Sequence, residues 1–148
     1  MTINSIDSLL KSEKLLHEVT IKGWVKNFRS NRFISVNDGS TIKNMQCVLD
    51  FEKTEEAVLK RITTSAAVSV TGMLTESLGS GQTVEIKVSK IEILGDSNPE
   101  EYPIQPKKHS LEFLREQAHL RIRTNTFGAV MRVRSALSFA IHEYFVKN

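Results

Sequence analysis

Cysteine is nearly missing from this chain. Cys47 stands alone among 148 residues, which excludes an internal disulfide and any zinc site built from several thiolates. Proline is almost as scarce, and Pro99, Pro103 and Pro106 all fall in one short segment, so nothing outside that segment is interrupted. No apolar run approaches the roughly 18 residues of a membrane span, and residues 1–7 lack the basic-then-apolar order of an export signal. The expectation is a cytoplasmic protein with no membrane partner. Neither sign of charge dominates, with 20 Lys+Arg against 17 Asp+Glu. What is present, 40% hydrophobic and 25% charged residues, excludes the disordered and collagen-like classes and predicts one compact domain plus an additional segment.

The small net charge of +3 conceals an uneven layout. Residues 22–46 carry Lys22, Lys26, Arg29, Arg32 and Lys43 against Asp38 alone. Residues 51–100 carry five basic side chains against eight acids, and residues 107–134 carry seven Lys/Arg against Glu112 and Glu116. Two basic stretches around an acidic one suit an oriented polyanion. A merely solvated surface accounts for the same charges.

Residues 19–25 alternate Val19, Ile21, Gly23 and Val25 against Thr20, Lys22 and Trp24, a period of two that predicts a half-buried strand with a bulge or bend at Gly23. Residues 32–37 and 45–49 repeat the alternation. Ser30-Asn31 and Asp38-Gly39-Ser40 separate these strands as turns. Thr54, as N-cap, then opens a short helix over 55–62, with acids first and Lys60-Arg61 last. Two more strands follow at 67–73 and 83–94, the second with a parity slip near Ser89-Lys90, and the loop between them holds Gly79-Ser80-Gly81. Three strands, a helix and two strands, bent at both ends, predict a mainly β fold: a five-stranded Greek-key barrel of the OB type with its helix between strands 3 and 4. A small β-sandwich would want more strands.

The barrel is assigned to residues 1–94 and a linker to 95–106, where the prolines lie and apolar periodicity stops. A second unit, 107–148, starts with Ser110 as the N-cap of a helix over 111–119. A longer helix over 127–145 sets Val130, Val133, Leu137, Ile141 and Tyr144 at helical spacing, with Arg132, Ser135 and His142 on the other face. Nothing after it in the sequence covers that apolar stripe, which reads as truncation.

Parity also selects a candidate site. If Ile34 and Val36 point into the barrel, Phe33 and Ser35 point out, and if Met45, Cys47 and Leu49 point in, Gln46 points out beside them. Arg29 and Arg32 flank the adjoining turn. A ring for stacking, an amide that both donates and accepts, and guanidinium groups on one patch are what a single-stranded base requires. Packing of Phe33 on Phe28 or Trp24 is the alternative, and the residues alone leave both open. Trp24 reads as a wall residue rather than a platform.

No catalytic constellation emerges. Gly79-Ser80-Gly81 lacks the Gly-Lys-Ser/Thr ending of a phosphate loop. His17, His109, His119 and His142 have no metal-ligand spacing, and no carboxylate pair stands out for acid–base work. No metal site is expected. Lys107-Lys108-His109 precedes a helix and fits either a phosphate backbone or a plain basic surface.

Taken together, Gly23-Trp24-Val25, Arg29, Phe33-Ile34, Asp38-Gly39 and residues 45–48 (Met-Gln-Cys-Val) resemble the anticodon-binding OB domain of class IIb aminoacyl-tRNA synthetases. Residues 102–104, 107–116, 119–121 and 123–125 are similar to the bacterial asparaginyl-tRNA synthetase family rather than to its aspartyl and lysyl relatives. Those relatives carry an Arg-Tyr-Leu-Asp-Leu type segment where this chain has residues 117–121, Gln-Ala-His-Leu-Arg. The resemblance implies that Phe33 stacks the central uracil of an anticodon, with Arg29 and Gln46 hydrogen-bonding it, and that residues 76–82 help read the other bases. Lys22, Lys26 and Arg32 then steer phosphates. It further implies that the helix over 127–145 belongs to motif 1 and a homodimer interface, and that the parent uses ATP and Mg²⁺ to attach asparagine to tRNA. The chain stops before the proline-bearing strand of motif 1 and lacks motifs 2 and 3, so by itself it is expected to be inactive. The rival readings are an aspartyl- or lysyl-type enzyme and a free-standing module that binds single strands without catalysis.

Overall fold

A computed structural model of the chain describes residues 3–77, 79 and 81–148. It divides into two compact units, Met1–Pro106 and Lys107–Asn148.

The first unit is a closed barrel of five strands: β1 (Glu18–Arg29), β2 (Phe33–Asn37), β3 (Met45–Val48), β4 (Ala67–Glu76) and β5 (Val84–Gly95). Around the barrel they run β1-β2-β3-β5-β4. The β3–β5 pair is parallel and the β1–β2, β2–β3, β4–β5 and β1–β4 pairs are antiparallel, the Greek-key closure of an OB fold. Alternation drives it: Ile34 and Val36 on β2, and Met45 and Cys47 on β3, are wholly buried while their neighbours are not. Ile34, Val36 and Met45 each add about 1.5–3 kcal/mol from apolar burial. The turn between β1 and β2 places Ser30 and Asn31 at φ of +53° and +48°, the paired left-handed geometry that matches strand twist.

Gly23 is not a bulge. Pairing with β4 runs unbroken from Glu18 to Trp24, and the register shift lies between Val25 and Asn27, so Lys26 is the extra residue. Gly23 answers to crowding instead, since a Cβ there would stand 2.6 Å from the Asn37 carbonyl oxygen. The parity slip near Ser89-Lys90 is a true bulge, because Thr71 pairs with Lys90 and Gly72 with Val88.

The helix between β3 and β4, α2 (Glu56–Arg61), starts from Glu55 with no side-chain cap. Thr54 Oγ1 donates to the Asp50 carbonyl instead. Another helix, α1 (Ile6–Leu10), escapes a sequence reading because five residues are too few to show a helical period; Ser5 caps it locally and distant groups hold it as well. Asp38 Oδ2 accepts from Ile6 N at 2.8 Å and Ser40 Oγ accepts from Asp7 N at 3.0 Å, satisfying orphan N–H groups and seating Ile6 and Leu9 in the barrel core. Between β4 and β5, Ser77 N donates to Thr83 O at 3.0 Å. Ser80 of the glycine-rich turn and Leu78 lie outside the described residues.

The segment assigned as linker has local structure: Tyr102 N donates to Asn98 O, Arg61 grips Asp96 through two hydrogen bonds, and Ile104 is buried. In the second unit α3 (Leu111–Glu116) is shorter than its sequence pattern, capped by Ser110. A 3₁₀ turn spans Arg121–Arg123, and α4 (Asn125–Lys147) is longer than its pattern because Thr124 caps it. The Arg121 guanidinium lies 4.6 Å from the Phe127 ring centroid.

Candidate nucleic-acid interface

The bulge at Lys26 decides which side chains reach the outer wall. Before it, Val19, Ile21 and Val25 point inward. After it, Phe28 packs against the core, and Asn27 and Arg29 turn outward. Arg29 then stands directly opposite Phe33, and Phe33 opposite Val48. One row along, Asn27 is opposite Ser35, which is opposite Gln46. Arg29, Phe33 and Gln46 therefore share one face, the last at diagonal distance from the ring.

Each has a distinct setting. Arg29 is exposed and Phe33 half-buried. The Arg32 guanidinium lies 5.7 Å from the Phe33 ring centroid, so its charge stands beside the ring. Phe28 belongs to the core and Trp24 faces Ala67 and Asn37 further down β1, so neither is the neighbour that Phe33 packs upon. Lys26, the bulge residue, is half-buried. Lys22 is not brought to the patch: it sits opposite Ser69 on the β1–β4 wall, where its charge helps Lys90 hold the Glu92 carboxyl below the usual carboxylate range.

Sequence reasoning passed over Glu85. Gln46 Nε2 donates to Glu85 Oε2 at 3.1 Å, and Ser77 Oγ donates to the same oxygen at 3.0 Å. Glu85 is only 8% exposed although it lies on the outer wall. Such a carboxylate fixes which end of the Gln46 amide is engaged: one amide hydrogen is bound, and Oε1 is left as an acceptor. The signal was present in the outward parity of Glu85 between Val84 and Ile86, but the β3–β5 pairing that brings it to Gln46 is parallel and non-local.

Among the described residues no group of three or more His, Cys, Asp or Glu could hold a metal ion. His109 stacks on Phe113, ring centroids 4.9 Å apart. In α4, Val130, Val133, Leu137, Ile141 and Tyr144 are all exposed.

A closed Greek-key barrel of this strand order is an OB domain, and its outer wall offers a ring, two guanidinium groups and an oriented amide. Residues 19–94 match the tRNA anticodon family model, described as an OB-fold nucleic acid binding domain, and the chain belongs to that family. It is 51% identical over 149 aligned residues to the asparagine–tRNA ligase of Borreliella burgdorferi, covering 97% of this chain and 32% of that protein. To the asparagine–tRNA ligase of Parabacteroides distasonis it is 52% identical, covering 95% of this chain and 31% of the relative. The chain thus spans about a third of the length of these relatives. Among solved structures, asparaginyl-tRNA synthetase of Pyrococcus horikoshii complexed with asparaginyl-adenylate has the same fold, at TM-score 0.83 and 24% identity, covering 99% of this chain and 35% of that one.

Proposed function

We propose that this chain is the anticodon-reading part of an asparagine–tRNA ligase and that Arg29, Phe33 and Gln46 bind the central uracil of the anticodon. The observation that carries this reading is the half-exposed Phe33 ring set between Arg29 and the Glu85-held amide of Gln46. Uracil presents a ring N–H between two carbonyl oxygens. The ring stacks on Phe33, Gln46 Oε1 accepts from that N–H, and the Arg29 guanidinium donates to a carbonyl. Cytosine has an unprotonated ring nitrogen there and meets an acceptor with an acceptor, an unpaired contact that costs affinity. Arg32 and Lys26 supply the salt-sensitive attraction to phosphate.

In the parent, ATP with Mg²⁺ activates asparagine, using groups outside these 148 residues, and the product is joined to the tRNA 3′ end. The 148-residue chain is inactive in that reaction. The exposed apolar residues of α4 support a homodimer contact in the parent. No helix among the described residues is long and apolar enough to cross a membrane. Work on tRNA places the parent in the cytoplasm.

The test is a fluorescence titration of this chain with anticodon hairpins that differ only at the central base. Uracil is expected to bind best and cytosine to lose roughly tenfold or more. Equal affinity for all four bases would overturn the reading.

A further inference from the structure

Residues 51–100 are acidic in sum, yet the parallel pairing of β3 with β5 brings one of their lysines to the basic wall. Val84 and Ile86 are buried in the barrel core, so Glu85 and Lys87 between and after them point out. Lys87 stands opposite Val48, which extends the row of Arg29, Phe33 and Val48 by one strand. From Phe33 to Lys87 is two strand spacings, about 9.6 Å along the wall, with half-buried Val48 between them.

Lys87 is exposed, and its ammonium group has no ion-pair or hydrogen-bond partner among the described residues. Lys53 and Lys90, by contrast, are engaged by Asp50 and Glu92. The nearest acid on the same face of β5 is Glu85, two residues back and about 7 Å along the strand, and its carboxylate accepts from Gln46 and Ser77. An RNA strand laid over Gln46 brings its phosphates toward that negative charge. A free cation on the same strand offsets the repulsion. Arg29 covers the β1 side of the Phe33 ring and Lys87 the β5 side, so a base stacked there has a cation at both flanks of its backbone.

We propose that Lys87 is a phosphate-binding residue of the RNA face, contacting a phosphate that flanks the base stacked on Phe33. This deepens the proposed function and rests on it. Lys87 carries no base specificity; it holds the backbone in place while Gln46 and Arg29 read the base.

The experiment titrates the wild-type chain, Lys87→Gln, Lys87→Arg, Lys22→Gln and Phe33→Ala with anticodon hairpins across a range of salt concentrations. A second set of hairpins replaces each phosphate flanking the central uracil, one at a time, by an uncharged methylphosphonate. Lys87→Gln is expected to weaken binding several-fold at low salt, equally for all four central bases, and to reduce the slope of log affinity against log salt by about 0.7, the value for one phosphate contact on a single strand. Lys87→Arg keeps the slope. Lys22→Gln, which removes the same charge from the β1–β4 wall, leaves the slope nearly unchanged. One uncharged linkage weakens the wild type and makes Lys87→Gln equal to it. An unchanged slope in Lys87→Gln, an equal change in Lys22→Gln, or a Lys87→Gln effect that persists with every uncharged linkage overturns the proposal. Unchanged hairpin binding by Phe33→Ala would instead overturn the underlying reading of the site.

Discussion

Arg29 and Phe33 are direct cross-strand partners on the outer wall, tied together by a turn in which Arg32 N donates back to Arg29 O at 3.1 Å. The ring and the cation are thus positioned by main-chain geometry, so little order has to be imposed when a nucleotide arrives. Phe33→Ala removes the stacking surface without opening the core, because its neighbour Ile34 holds the interior position. Hairpin affinity is expected to fall by about 1–3 kcal/mol. Calorimetric binding and a thermal melt check this together. A large drop in melting temperature would mean that Phe33 is a packing residue.

Gln46 and Glu85 belong to one unit, since their side chains share a 3.1 Å hydrogen bond. Glu85→Ala frees the amide to present either end, so discrimination of central uracil from cytosine is expected to shrink several-fold. Gln46→Ala on that background then adds little. A double-mutant cycle on hairpin binding should give a coupling of about 0.5–3 kcal/mol, as for residues in direct contact. Additive effects would show that Glu85 does not orient the amide.

The patch was legible in sequence because β2 and β3 obey strict alternation, which fixes the outward direction of Phe33 and Gln46 without any knowledge of tertiary contacts. Arg29 was legible only by its place at a turn. Its orientation depends on the bulge at Lys26, and bulges follow from closing the barrel rather than from local preference. The bend expected at Gly23 came from glycine's usual meaning in a strand, whereas its actual reason is the close passage of Asn37. Helix α1 was invisible because its five residues are too few to show a helical period; Ser5 caps it locally, and Asp38 and Ser40, more than thirty residues away, hold its other leading N–H groups. Glu85 was missed because a parallel pairing across the chain is not written in any local pattern.

Gly72 sits at the bulge of β4 against β5, where a Cβ would overlap the carbonyl oxygen of Lys87. Backbone cannot swing aside as a flexible side chain does. Gly72→Ala is expected to destabilise the barrel by about 1–3 kcal/mol or more, a lower urea midpoint at unchanged slope. Gly81→Ala, where added bulk meets nothing within 4 Å, serves as the contrast and should leave the midpoint nearly unchanged. Equal midpoints for the two variants would show that β4 and β5 do not approach this closely.

Cys47 gives the barrel a pH dependence whose sign is fixed by its burial. The thiol is fully enclosed on β3, and burial pushes it well above the ordinary thiol range. In the unfolded chain it ionises from about pH 8.5 upward, while the folded chain keeps its proton. The stability linked to that proton is therefore complete below pH 8.5 and is lost as pH rises toward the folded value. Relative to Cys47→Val, the free energy of unfolding should fall by up to about 1.4 kcal/mol per pH unit above pH 8.5, or about 2 kcal/mol by pH 10. Urea melts of both proteins at pH 7, 9 and 10 isolate this difference from the titration of lysines and tyrosines that they share. Parallel pH profiles would mean that the thiol reaches solvent in the folded barrel, and the close packing of Ile34, Met45 and Ile86 around that level of the core would be wrong with it.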